Sequence, residues 1–99
     1  MELKEITNLM TSFVTKKGWY SKDSSKPQTP RNIAMSLSIE CGEVLEHFQW
    51  TEQPKNMEAL SEELADVLLY LLQLASVLSI DIEKSVLTKL QINRNRKWQ

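Results

Sequence analysis

Leu3, Ile6, Met10, Phe13 and Val14 recur at the period of an α-helix and lie on one face, which predicts a first helix from Leu3 to about Lys16. Lys17-Gly18 closes it, with Gly18 suited to the C-cap. Residues 20–29 are polar and read as a loop, the one segment expected to be mobile in the free protein. Thr29-Pro30 then pairs an N-cap with a proline at the first helical position. The second helix should run to about Phe48 or Trp50, with Leu37, Cys41, Val44, Leu45 and Phe48 as its apolar face. Thr51 to Asn56, containing Pro54, forms a short connection. Met57 to Leu78 is the longest periodic run, with an irregular first turn expected before Ser61. Leu60, Leu64, Val67, Leu68, Leu71, Leu74, Ala75 and Leu78 give it a broad apolar arc, and Leu69 and Leu72 extend that surface. A helix so apolar nearly all round belongs inside a bundle or across a subunit interface. Its one polar strip carries Glu63, Asp66, Tyr70 and Gln73. Ser79 or Asp81 would cap a fourth helix from Ile82 to about Arg96.

The pattern therefore predicts an all-α chain of about four helices, and residues 1–99 read as a single domain. Two glycines and three prolines are few turn-formers, in keeping with that class. Twelve basic against thirteen acidic residues leave a net charge of −1, so no overall field favours nucleic acid or an anionic membrane. The lone Cys41 excludes an internal disulfide framework and suits a reducing cytoplasm. The N-terminus lacks the basic and apolar regions of a signal peptide, and the apolar stretch Val67 to Leu72 is too short to span a bilayer. The apolar surplus of the third helix exceeds what so short a chain can cover, which predicts self-association.

The chemistry lies in two pairs of acids, Glu40/Glu43 and Glu63/Asp66. Members of each pair stand three residues apart, so both carboxylates leave the same side of a helix about one turn apart. Each pair sits in an apolar helical run, where a bare carboxylate is costly to keep ionised. Two such helices side by side gather four acids with no counter-charge of their own, and a divalent cation with a preference for oxygen ligands resolves the conflict. A single pair at this spacing is ordinarily a solvated face; two pairs, both in Leu-rich helices, are not. Glu46, Glu58 and Glu62 read as solvated or capping residues, and His47 as a surface or interface residue. Cys41 reads as a small buried hydrophobe and Trp98 as a packing residue.

The second and third helices together resemble the MazG-type nucleoside triphosphate pyrophosphohydrolases, whose signature is EExxE, a spacer, then ExxD. Ser38 to Trp50, with Glu40 and Glu43, matches the first part, and Glu62 to Tyr70, with Glu63 and Asp66, the second. The resemblance covers roughly residues 28–97 and is closest to the small members similar to dCTP pyrophosphatases. Ile39 stands where many relatives carry the first glutamate, an acid that this branch commonly lacks. The resemblance implies a helical bundle assembled as a dimer or tetramer with composite sites. It also implies a Mg²⁺-dependent hydrolase, with Mn²⁺ able to substitute, that yields nucleoside monophosphate and pyrophosphate and cleanses or balances the nucleotide pool. By it, Glu40, Glu43, Glu63 and Asp66 are the metal ligands. Metals in such a site neutralise phosphate charge and activate water.

Lys89, Asn93 and Arg96 match a K-x-x-x-N-x-x-[KR] pattern whose side chains grip phosphates and sugar, and Tyr70 is similarly placed for a phosphate contact. Trp19 and Trp50 match aromatic positions that contact the base; Gln28 stands where relatives often carry His. Two other readings stay open. One is a related all-α pyrophosphohydrolase acting on dUTP or phosphoribosyl-ATP. The other is a non-enzymatic helical interaction module.

Overall fold

A computed structural model describes residues 1–19, 21 and 23–96. Four helices follow one another: α1 Leu3–Lys16, α2 Pro30–Glu46, α3 Met57–Val77 and α4 Ile82–Asn95. No strand occurs among the described residues. Three of the helices begin on a side-chain cap. Thr29 Oγ1 accepts from the Asn32 amide at 3.2 Å, Asn56 Oδ1 from Ala59 at 3.0 Å and Asp81 Oδ1 from Lys84 at 3.1 Å. The Asn56 cap makes α3 regular from its first residue, so the irregular turn expected before Ser61 is absent.

The ends of α1 and α3 share one device. After α1, Lys17 is the C-cap, Gly18 takes φ 72°, the Gly18 amide bonds the Thr15 carbonyl, and the Trp19 amide bonds that of Val14. After α3, Ser79 takes φ 57°, its amide bonds the Ser76 carbonyl, and the Ile80 amide bonds that of Ala75 at 2.8 Å. Both are Schellman motifs, which need a left-handed residue just past the cap. Ser79 thus ends α3, and Asp81 alone caps α4. Helix α2 stops at Glu46, short of the predicted Phe48 or Trp50. The Phe48 and Gln49 amides turn back to Leu45 and Glu46 in three-residue steps instead of continuing the helix.

Helices α2 and α3 pack on each other, and α1 lies across α3. They run antiparallel: Gln28, two residues before the start of α2, bonds Gln73 near the end of α3, and the end of α2 meets the beginning of α3 (Glu43 with Glu63). Met10, Val14 and Leu72 form the core between α1 and α3, with Leu3, Ile6, Trp19 and Ile82 packed around them. Ile33, Leu60 and Ala75 are the other buried hydrophobics.

That core is small for this chain. The radius of gyration is 16.0 Å, against about 13 Å for a compact domain of this length. Helix α4 turns away from α3 by 105° and buries none of its residues. Leu64, Leu68, Leu87 and Leu90 remain 41–61% exposed. No single helix among the described residues is long and apolar enough to cross a membrane.

The inward face of α2 keeps Leu37 and Val44 of the predicted one but is rotated away from Cys41, Leu45 and Phe48. Ile33 is buried, and Leu37, Glu40, Glu43, Val44 and His47 are half-buried at helical spacing, so the carboxylates turn toward α3. Cys41, one position on from Glu40, points about 100° away from it and is exposed rather than buried. Leu45 and Phe48, expected on the covered face, are 70% and 39% exposed. Trp98 lies outside the described residues.

Candidate active site

Because α2 and α3 run antiparallel with their acids at the same height, Glu40, Glu43 and Glu63 converge. A carboxylate oxygen from each lies within 4.8 Å of the other two, and all three residues are half-buried. Oε2 of Glu40 and Oε2 of Glu63 are shielded from solvent and accept no hydrogen bond. Asp66, one turn beyond Glu63, is exposed and stands at the edge of the trio. Its charge nevertheless acts on Glu40, and both line the same adjoining cavity.

The electrostatics record the crowding. Glu40 is raised above the ordinary carboxylate value, first by burial and then by the negative charges of Glu43 and Asp66, against a lowering contact from Glu63. Glu43 is raised first by a hydrogen-bonding contact with Glu63 that favours its protonated form, then by the charge of Glu63. Hard oxygen donors, mutual repulsion and two unpartnered shielded oxygens are the features a divalent cation satisfies. The donor set fits Mg²⁺.

Two cavities flank the acids. The first, about 460 Å³, has Glu43 and Glu63 on its wall, with His47, Trp50 and Lys55 around it. Trp50 is 84% exposed at its rim. The second, about 240 Å³, joins Glu40 and Asp66 to Trp19, Phe13, Tyr70 and Gln73. Trp19 is half-buried and stands edge-on to Phe13, ring centroids 5.7 Å apart at 84°. The Schellman turn at Gly18 fixes its backbone, and its carbonyl accepts from the Gln28 amide at 3.3 Å. Tyr70 is half-buried between this cavity and a third one that Gln28 and Asn32 line.

The C-terminal pattern is not drawn in. Lys89 and Arg96 are exposed and Asn93 half-buried, and none of them lines a cavity beside the carboxylates. Arg96 also leaves the helical register: it is the C-cap of α4, with ψ 143°. Lys55 and Gln28 are site-lining residues that periodicity could not reveal, since both sit in connections. Gln73 did carry a signal, as the last member of the polar strip on α3.

Residues 35–99 match the MazG-like family model. The chain belongs to the MazG-like family. It is 36% identical to rat dCTP pyrophosphatase 1 and 36% identical to the human protein of that name, over 95% of this chain. It spans only 58% of the length of those MazG-like relatives. A crystal structure of a pyrophosphatase from Archaeoglobus fulgidus superimposes with a TM-score of 0.79 at 35% identity, covering 95% of this chain and 92% of that one. The all-α architecture is thus that of a MazG-like pyrophosphatase.

Proposed function

We propose that this chain hydrolyses (deoxy)nucleoside triphosphates, dCTP or another dNTP among them, to nucleoside monophosphate and pyrophosphate in a Mg²⁺-dependent reaction that Mn²⁺ also sustains. The observation that carries the reading is the convergence of Glu40, Glu43 and Glu63 with two shielded oxygens that accept no hydrogen bond. The pyrophosphatase names of its relatives support the reaction class. Glu40, Glu43, Glu63 and Asp66 would hold the metal. Once bound, Mg²⁺ supplies positive charge for the triphosphate and its pyrophosphate leaving group, and lowers the pKa of the attacking water. A carboxylate of this group takes the proton of that water. Tyr70 donates to a phosphate oxygen, while Trp19 and Trp50 offer flat faces to the base.

Lys89, Asn93 and Arg96 bind phosphate and sugar in this reading, although within one chain they line neither cavity beside the carboxylates. Their absence from the linings of both cavities beside the acids and the open leucines of α3 and α4 support an oligomer, a dimer or tetramer, in which a second copy brings α4 to the site. Residues 1–99 then act as one MazG-like unit in cytoplasmic nucleotide-pool housekeeping.

Product analysis tests the proposal, using purified protein, Mg²⁺, a panel of NTPs and dNTPs, and an EDTA control. The expected products are monophosphate and pyrophosphate, lost on chelation. Turnover of no triphosphate in the panel would overturn the assignment. Glu43→Gln and Asp66→Asn should each abolish turnover while circular dichroism shows unchanged helical content. Full activity in either variant would remove that residue from the ligand set.

A further inference from the structure

Gln73 is the one buried polar residue among the described side chains, 4% exposed, and it lies on the wall of the mostly apolar cavity that Glu40 and Asp66 open into. A buried carboxamide can present either its oxygen or its amino group to such a space, and the two ends look alike in shape. Here the chain settles the choice. Gln28 Nε2 donates to the Lys26 backbone carbonyl at 2.9 Å, and a carbonyl can only accept. Gln28 Oε1 is therefore the end turned to Gln73, and it accepts from Gln73 Nε2 at 2.8 Å. That leaves Gln73 Oε1 as the amide oxygen with no protein donor among the described residues, on a side chain that lines the cavity.

We propose that Gln73 reads the substrate's base, and that the Lys26–Gln28 relay fixes it as a hydrogen-bond acceptor, so that this cavity selects a pyrimidine bearing an exocyclic amino group over its keto counterpart. The inference rests on the triphosphate hydrolysis proposed above and adds the specificity-determining residue.

Three features place a base there. At about 240 Å³ the cavity is smaller than the roughly 300–1,000 Å³ of drug-sized sites, and it suits one flat ring. Trp19 and Phe13 supply aromatic walls, and Gln28 is tied to Trp19 through its own backbone amide. Asp66 and Gln73 stand seven residues apart on α3, about 10 Å at 1.5 Å per residue, which separates a phosphate-side acid from a base-side amide by the length of a sugar and a single ring. An amino group donates to Gln73 Oε1. A keto oxygen at the same position would face it lone pair to lone pair and leave both oxygens without a donor.

Two variants and two readouts test this. Gln73→Leu removes the acceptor and keeps the bulk. Gln28→Lys puts a donor beside Gln73, so that Gln73 turns its oxygen to the lysine and its amino group to the cavity. The first readout is the kcat/KM ratio for dCTP over dUTP. The second is the Kd ratio for dCMP over dUMP by calorimetry in EDTA, which needs no turnover. The wild type should favour the cytosine nucleotide on the order of tenfold to a hundredfold in both. Gln73→Leu should fall to near parity, and Gln28→Lys should reverse the preference. A wild type indifferent to the base, or a Gln73→Leu protein that keeps the full ratio, would overturn the inference. If no triphosphate is hydrolysed while the Kd ratios still shift as stated, the hydrolase proposal fails and the base selector stands. If hydrolysis is robust but both ratios are unmoved by the variants, the reverse holds.

Discussion

Glu63→Gln is expected to make the metal-free protein more stable while abolishing its response to Mg²⁺. The substitution keeps the shape of the side chain and removes its charge. In the trio, carboxylate oxygens of Glu40 and Glu63 approach within 4.8 Å. Two unit charges at that distance repel by about 3.5 kcal/mol at an effective dielectric of 20 and by about 0.9 kcal/mol at 80. Both residues are half-buried rather than enclosed, so solvent and salt bring the figure for this pair to about 1 kcal/mol. For a chain of this size that corresponds to a rise of about 4–8 °C in Tm.

The pH dependence has a definite sign. Glu40 and Glu43 bind their protons more tightly in the folded state than in the unfolded chain. The stability this contributes is fully present below the ordinary carboxylate value of 4.5 and is lost as pH rises through the raised folded values. The advantage of Glu63→Gln should therefore be full at about pH 8 and vanish by about pH 4. Added Mg²⁺ should stabilise the wild type by about 2.7 kcal/mol at a hundred times its Kd and leave the variant unmoved. Calorimetric melting of both proteins, in EDTA and in Mg²⁺ at matched protein concentration, measures all of this. A variant less stable than wild type in EDTA at about pH 8, or one that Mg²⁺ stabilises equally, would refute the reasoning.

Ser79→Gly should raise stability by about 1 kcal/mol, because φ 57° carries a Cβ penalty that glycine lacks; an unchanged or lowered denaturant midpoint would show that the serine is not strained there. Leu68→Glu and Leu90→Glu, at positions 41% and 52% exposed in one chain, should shift the sedimentation profile toward monomer. Unaltered sedimentation of both variants would remove α3 and α4 as association surfaces.

The helices were legible because their periodicity and caps are local. Thr29-Pro30, Asn56 and Asp81 start helices through contacts made within a few residues, and Gly18 ends one the same way. The spacing of Glu40/Glu43 and Glu63/Asp66 was equally readable, since one turn of helix places each pair on one side whatever surrounds it. Which acids meet was not. Only the antiparallel docking of α2 on α3 sets Glu40 and Glu43 against Glu63 and leaves Asp66 at the edge. The same docking turned the carboxylate strip of α2 inward, which left Cys41 and Leu45 outside; a hydrophobic-face argument predicts the opposite, because it counts apolar side chains without knowing what lies across from them. Gln28 and Gln73, forty-five positions apart, offered no local pattern to join them. Their hydrogen bond exists because the start of α2 lies beside the end of α3, and distances of that kind are settled by packing, whereas the turns and caps are settled by the backbone of each segment alone.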